Sequence, residues 1–125
     1  MKKFEVLVLG SGMAGIPAMR AAAQTLKKST AAVIGTELGG TCLNFGCIPK
    51  KALYQIAHLA AEMDRSEKYG FSVQKHFDFS KAMQYKEAVI KRLGGLRRES
   101  MEDWGVKLFD GVAKFISPSV ASRPK

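Results

Sequence analysis

Two apolar runs near the start of the chain flank a segment with helical composition. Residues 4–9 are rich in Val and Leu and end at a glycine cluster, which is typical of a buried parallel strand entering a tight turn. Residues 16–28 are rich in Ala, Met, Leu and Gln and predict a helix, with Pro17 near its start, where a missing N–H costs little. Residues 30–34 form the second apolar run. The pattern predicts a strand–helix–strand unit with parallel strands.

A glycine-rich loop and a long helix are predicted next. Residues 35–49 contain four glycines and predict the loop. A helix is expected to begin near Cys47 or Pro49 and to run to about residue 68, because its apolar positions recur at three- and four-residue steps. Gly70 is its predicted C-terminal stop.

The last third of the chain predicts a second long helix and two strands. The helix should start after Asp78 or Ser80 and reach about residue 103. Residues 106–109 and 112–116 are apolar and predict the strands of a hairpin or meander. The remaining residues form a polar tail with two prolines.

The glycine cluster at residues 10–15, with the sequence GSGMAG, follows the first predicted strand and opens the first predicted helix. In that context the G-x-G-x-x-G pattern predicts a dinucleotide-binding turn. Gly10 would permit the tight turn, Gly12 would let a pyrophosphate approach the backbone, and Gly15 would let helix and strand pack closely. A glycine-rich turn that serves packing alone is the alternative.

The second predicted strand lacks the acidic residue that such folds place at its end to hold the ribose hydroxyls. Ile34 and Gly35 occupy that place, and Glu37 is the nearest carboxylate in the sequence. Glu37 is therefore a candidate ribose ligand if the turn is shifted, with a solvated loop carboxylate as an equal alternative. The gap predicts weak binding of an adenosine moiety.

Composition places the chain among ordinary globular proteins, with 125 residues, 46% hydrophobic and 25% charged. No apolar run approaches the roughly 20 residues that span a bilayer, and the first one breaks too soon for a signal peptide, so a cytoplasmic location without membrane contact is predicted.

The net charge of +9 raises the question of a nucleic-acid partner. No nucleic-acid motif is present, and the basic run at residues 91–98 is interpreted as a solvated helix face rather than a binding patch.

Cys42 and Cys47 are the two cysteines of the chain, and four residues separate them. Two cysteines are too few for a zinc site without further ligands. A loop that turns back at Gly46 can bring their sulfurs together. Cys47 is expected at the start of the following helix, whose dipole, together with Lys50 and Lys51, would stabilise a thiolate. The pattern favours thiol–disulfide exchange over two free buried cysteines.

Residues 39–51, with the sequence GGTCLNFGCIPKK, resemble the active-site signature of the class I pyridine nucleotide–disulfide oxidoreductases. That family includes dihydrolipoamide dehydrogenase, glutathione reductase and mercuric reductase. The spacing from the glycine motif to the cysteines, the two long helices and the segment at residues 110–115 are similar as well. The resemblance therefore covers the chain at least to about residue 118. Leu43-Asn44 resembles dihydrolipoamide dehydrogenases, whereas Lys50-Lys51 is more like glutathione-type reductases.

The resemblance implies an α/β fold, namely the N-terminal part of a Rossmann-like FAD/NAD(P)-binding domain, with two long helices and the start of a β-meander. It implies FAD as the cofactor, with the pyrophosphate on Gly10, Gly12 and Gly15. Gly40 and Thr41 would lie along the same cofactor.

The resemblance also implies roles for the residues of the cysteine motif. Cys42 would be the interchange thiol that meets the substrate, and Cys47 would face the flavin as the charge-transfer thiolate. Lys51 would lie near the flavin N5 atom. In the full-length enzyme, NAD(P)H would reduce FAD, FAD would reduce the disulfide, and the dithiol would reduce a lipoyl group, a small disulfide or mercuric ion. For dihydrolipoyl groups the physiological flow is the reverse.

Members of this family are several times longer, form homodimers and carry a second glycine motif and a catalytic His–Glu pair. Residues 16–125 contain no second glycine motif, and His58 and His76 do not match that pair. The resemblance therefore implies a fragment or truncation that lacks the NAD(P)-binding and dimerisation domains and is inactive alone. The alternatives are a stand-alone nucleotide-binding or redox-sensing module without turnover and a non-functional product of a shortened reading frame. An incomplete sheet also predicts marginal stability or association.

Overall fold

The computed structural model describes residues 2–122, and residues 123–125 of the predicted polar tail lie outside this range. The described chain is a mixed α/β structure, which confirms the predicted partial Rossmann-like fold. Its elements are β1 (Val6–Leu9), α1 (Gly15–Arg20, continued by a π-helical turn at Ala21–Thr25), β2 (Thr30–Val33), α2 (Gly40–Asn44), α3 (Cys47–Arg65, continued by a 3₁₀ turn at Ser66–Tyr69), α4 (Phe79–Asp103), β3 (Lys107–Phe109), β4 (Lys114–Ser117) and β5 (Val120–Ser122).

The main sheet has three strands in the order β1-β2-β3, and all of them run parallel. Val6 pairs with Thr30 at the start of β1, and Leu9 pairs with Val33 at its end. The predicted parallel strand–helix–strand unit is thereby confirmed. Because β2 is the central strand, its four residues are all buried, whereas side chains along β1 alternate between half-buried and exposed.

The strand pairing predicted for residues 106–116 is wrong. β3 does not form a hairpin with the strand that follows it, but lies parallel to β2, with Ala31 opposite Lys107. The backbone at Gly111 bridges to Gly35 instead of closing a tight reverse turn, and its N–H donates to the Gly35 carbonyl at 3.3 Å. β4 pairs in antiparallel fashion with β5, which lies in the predicted polar tail.

The hydrophobic core lies between one face of the sheet and the helices α1 and α4. It contains buried side chains from α1, from the end of β2, from the last turn of α4 and from the residue before β3: Met19, Ala32, Ile34, Met101 and Val106. Small residues in β2 let the helices approach the sheet closely. The core therefore holds together elements from both ends of the chain.

A second region, here called the helical arm, comprises residues 47–93: α3, the connecting segment and the first part of α4. Its starts and stops follow the predictions, since α3 begins at Cys47 and Gly70 has the left-handed φ of +88°. The Asp78 carboxylate caps α4 by accepting the Lys81 N–H at 3.1 Å. Within the arm, only Ala52 and Ala82 are buried. Within residues 2–122, neither long helix is apolar enough to cross a membrane.

Candidate active site

The glycine loop between β1 and α1 has the geometry of a tight strand-to-helix turn. Gly10 has a left-handed φ of +105°, and its N–H donates to the Val33 carbonyl at 2.7 Å. A Cβ atom on Gly15 would lie 2.1 Å from the Gly10 carbonyl oxygen, so only glycine lets α1 pack this closely on the loop. At Gly12 a Cβ atom would meet nothing within 4 Å. The backbone of the loop is therefore open on the side of Gly12.

A second loop, which joins β2 to α2, lies directly against the glycine loop. Gly39 and Gly40 both have left-handed φ angles, of +91° and +61°. A Cβ atom on Gly40 would lie 2.9 Å from the Cα atom of Gly12, which shows that the two backbones touch. The two glycine-rich segments of the sequence thus form one continuous surface.

Ser11 joins these two loops and was not identified from the sequence. Its buried hydroxyl donates to the Ile34 carbonyl at 2.7 Å and accepts the Gly39 N–H at 3.2 Å. A hydroxyl in this position ties the glycine loop, the end of β2 and the second loop together. No signal in the sequence marks this role, because Ser11 occupies an unspecified position of the glycine pattern.

The two cysteines lie at the junction of α2 and α3. Residues 40–44 were predicted as loop, and this prediction is wrong, because they form the short helix α2, which carries Cys42. Cys47 is the first residue of α3. The turn between them is tight, since a Cβ atom on Gly46 would lie 3.1 Å from the Thr41 carbonyl oxygen. The structure holds both cysteines as free thiols, with Cys47 exposed and Cys42 half-buried.

The two thiols interact with each other. A hydrogen bond with the Cys47 side chain is the main reason why the pKa of the Cys42 thiol is raised. Partial desolvation of Cys42 raises its pKa further, whereas a hydrogen bond with the Cys47 backbone and, to a smaller extent, the positive charge of Arg97 lower it. The predicted proximity of the two sulfurs is therefore present in the structure.

The side chain of Asn44 holds this loop from inside. Its amide nitrogen donates to the Leu38 carbonyl at 3.0 Å and to the Gly40 carbonyl at 2.9 Å. From the sequence alone, Asn44 is only a marker of the subfamily. In the structure, the two hydrogen bonds of its side chain fix the backbone that precedes Cys42.

The other predicted site residues lie on the rim of this region. Thr41 is exposed in α2, between Gly40 and Cys42, and Lys51 is exposed one helical turn after Cys47. Glu37 is exposed in the loop after β2, and its carbonyl accepts the Gly40 N–H at 3.2 Å.

The end of β2 offers no carboxylate. Ile34 is buried in the core, and Gly35 has a left-handed φ of +78° and bridges to Gly111. The two residues at the position of the expected ribose ligand therefore have structural contacts and no side-chain carboxylate.

Comparison with known proteins gives consistent matches along the chain. A family model described as pyridine nucleotide-disulphide oxidoreductase matches residues 4–118. The chain is 37% identical over 120 residues to a glutathione reductase of Schizosaccharomyces pombe, which covers 94% of this chain and 26% of that protein. It is 35% identical over 118 residues to a dihydrolipoyl dehydrogenase of Thermus scotoductus, covering 94% of this chain and 25% of that protein.

A dihydrolipoyl dehydrogenase of Bacillus subtilis is similar to the same degree, with 34% identity over 122 residues, 96% of this chain and 25% of that protein. The chain therefore spans about a quarter of the length of the curated relatives that it matches. The family match over most of the chain, together with the paired glycine and cysteine loops, shows that this chain belongs to the pyridine nucleotide-disulphide oxidoreductase family.

Proposed function

We propose that this chain forms the flavin- and disulfide-handling part of an FAD-dependent NAD(P)H:disulfide oxidoreductase, with Cys42 and Cys47 as its redox pair. One observation carries the proposal, namely the contact between the glycine loop and the cysteine loop. A Cβ atom on Gly40 would lie 2.9 Å from the Cα atom of Gly12, and Cys42 follows Gly40 by two residues. A nucleotide held on the glycine loop would therefore lie beside the sulfurs.

The glycine loop fits a pyrophosphate. Gly12 has open space where a side chain would otherwise stand, so phosphate oxygens can reach the backbone N–H groups there. In this proposal Gly10, Gly12 and Gly15 form the pyrophosphate site, and Gly40 and Thr41 line the cofactor. Bound FAD would supply a two-electron carrier between NAD(P)H and the cysteine pair.

Two rim residues complete the proposed cofactor site. Lys51 lies one helical turn into α3 from Cys47, which supports its placement near the flavin ring. Glu37 is an exposed carboxylate two residues beyond Gly35, and we assign it to the ribose hydroxyls in place of the absent acid.

The cysteine pair would carry out thiol–disulfide exchange in two steps. The Cys42 sulfur attacks one sulfur of the substrate disulfide, which forms a mixed disulfide and releases the first substrate thiol. Cys47 then attacks the Cys42 sulfur, releases the second thiol and closes the Cys42–Cys47 disulfide. The substrate gains two electrons and two protons, and the dithiol loses them.

The names of the relatives support a substrate that is a small disulfide or a lipoyl group, and for dihydrolipoyl groups the same steps run in reverse. Mercuric ion is a further candidate substrate by resemblance. The full-length protein is proposed to act as a homodimer. The half-buried position of Cys42 and the exposure of Cys47 support a division of labour, in which a cofactor covers Cys47 and the substrate reaches Cys42.

The first experiment is to express residues 1–125, gel-filter the product with and without added FAD, and record its flavin absorbance. We expect the folded fraction of the chain to carry flavin, with two titratable thiols after reduction and none after mild oxidation. Cys42→Ser and Cys47→Ser are the matched controls, because each leaves one thiol that cannot close the intramolecular disulfide. A flavin-free chain without reversible disulfide formation contradicts the proposal.

The alternative is a stand-alone nucleotide-binding or redox-sensing module without turnover. The exposure of Cys47 in this chain favours a thiol that can report on its surroundings. Both functions predict a reversible disulfide, so NAD(P)H oxidation separates them. Steady NAD(P)H oxidation by this chain alone would contradict the sensing module.

A further inference from the structure

Arg97 on α4 is a cation in an unusual position. The residue is half-buried, and its Nη1 nitrogen is enclosed and has no hydrogen-bond partner among the described residues. The next residue, Arg98, behaves as an ordinary surface cation and donates to the Asp110 carboxylate at 2.9 Å. Buried guanidinium nitrogens normally have an acceptor, so an enclosed nitrogen without one indicates a missing acceptor.

Arg97 lines a cavity of about 290 Å³ between α1 and α4. The cavity reaches the glycine loop at Met13, and a second cation, Arg20, is part of its wall. The guanidinium of Arg20 lies 5.8 Å from the centre of the Trp104 ring, which also lines the cavity. Two arginine side chains therefore line one cavity beside the glycine loop.

The same face of α4 also approaches the cysteine loop. Gly94, one helical turn before Arg97, lies against α2, since a Cβ atom there would be 3.8 Å from Cδ2 of Leu43. The positive charge of Arg97 acts on the neighbouring Cys42 thiol. Arg97 thus lies where the glycine loop, the cysteine loop and α4 converge.

We propose that Arg97 is a cationic anchor for the diphosphate of the dinucleotide on the glycine loop. This inference rests on the function proposed above and adds a binding residue to that same site. The backbone N–H groups of the loop carry only partial charges, whereas a guanidinium offers a full charge and parallel donors that match phosphate oxygens.

The test is a fluorescence titration of the 125-residue chain with FAD, in the wild type and in two variants. Arg97→Gln should raise the Kd for FAD about tenfold, the order expected for loss of a charged hydrogen bond. Arg98→Gln is the matched control, with the same change of charge on the next residue, and should change the Kd by less than about twofold. Riboflavin, which lacks the diphosphate, should bind both variants as it binds the wild type. A merely structural role of Arg97 would weaken riboflavin and FAD equally and would overturn the proposal.

A second probe, inorganic pyrophosphate, separates this inference from the proposed function. Stabilisation of the wild type by pyrophosphate in a thermal melt, and its loss in Arg97→Gln, supports the anchor even if FAD is not retained. A chain that binds FAD equally well with and without Arg97 overturns the anchor and leaves the proposed function intact. A chain that binds neither probe overturns both.

Discussion

The sheet core and the helical arm contain similar apolar residues but bury them very differently. Met19 and Met101 in the core have no exposed surface, whereas Phe77 in the arm is 61% exposed. Burial of apolar surface is the main stabilising term in folding, so the core supplies most of the stability and the arm supplies little. Both loops of the candidate site lie on the core side, and only Cys47 and the first turns of α3 belong to the arm. The candidate site thus lies mainly in the better-packed region of the molecule.

The largest loss of stability in the core is expected from a substitution at Gly15. In Gly15→Ala the new Cβ atom would lie 2.1 Å from the backbone oxygen of Gly10, which cannot yield without moving β1 or α1. We expect a loss of about 3 kcal/mol or more in the free energy of unfolding, measured by urea denaturation with circular dichroism. An unchanged urea midpoint would show that α1 does not pack on the loop as described.

Two methionines offer a matched comparison of the regions. Met101→Ala leaves a cavity in the core and should cost about 3 kcal/mol. Met63→Ala in the arm removes a side chain that is 37% exposed and should cost less than about 1 kcal/mol. Equal losses in the free energy of unfolding would mean that the arm is as well packed as the core.

The boundary between the regions runs through the cysteine pair, with Cys42 on α2 and Cys47 at the base of the arm. Because Cys47 raises the pKa of the Cys42 thiol, Cys47→Ala should lower that pKa. Cys42 should then form the thiolate, and react with iodoacetamide, at lower pH than in the wild type. The measurement is the alkylation rate of Cys42 against pH, followed by mass spectrometry. A profile that does not move, or that moves to higher pH, contradicts the thiol–thiol hydrogen bond.

An exposed glycine of α4, just beyond the helical arm, should respond in the opposite way to Gly15. Gly95 lies in the interior of α4, and a Cβ atom there would meet nothing within 4 Å. Gly95→Ala should therefore stabilise the chain by about 1 kcal/mol, because alanine favours the helix. The urea midpoint should rise, whereas the same substitution at Gly15 lowers it. A fall at both positions would show that Gly95 has a packing role.

The smallest effect is expected on the exposed face of the arm. Phe77→Ser removes an apolar side chain that contacts solvent, so the free energy of unfolding should change by no more than about 0.5 kcal/mol. Light scattering of concentrated solutions should fall, because less apolar surface is available for association. A large loss of stability would assign Phe77 to a packed interface and remove the contrast between the regions.

Local signals in the sequence were sufficient for the elements that local physics determines. The parallel order β1–α1–β2, the start of α3 at Cys47, the left-handed stop at Gly70 and the Asp78 cap all follow from patterns within a few residues. Each of these depends on glycine conformation, a capping carboxylate or hydrophobic periodicity.

The features that could not be predicted depend on partners far along the chain. The partner of β3 is β2, which lies more than 70 residues earlier, and a short apolar run does not specify its neighbour. α2 is too short to show a helical period. The contacts of Ser11 and the proposed role of Arg97 arise from packing between segments far apart in the sequence, which leaves no periodic signal.

The contact between the glycine loop and the cysteine loop also limits how this site can be altered or transplanted. Ser11 bonds to both loops, and Gly12 touches Gly40, so substitutions at these positions are not independent. In a double-mutant cycle, changes at Gly12 and Gly40 should deviate from additivity, because a side chain on Gly40 would press against the Gly12 backbone. A redox loop grafted from a relative would therefore function only if the matching residues of the first loop were transferred with it.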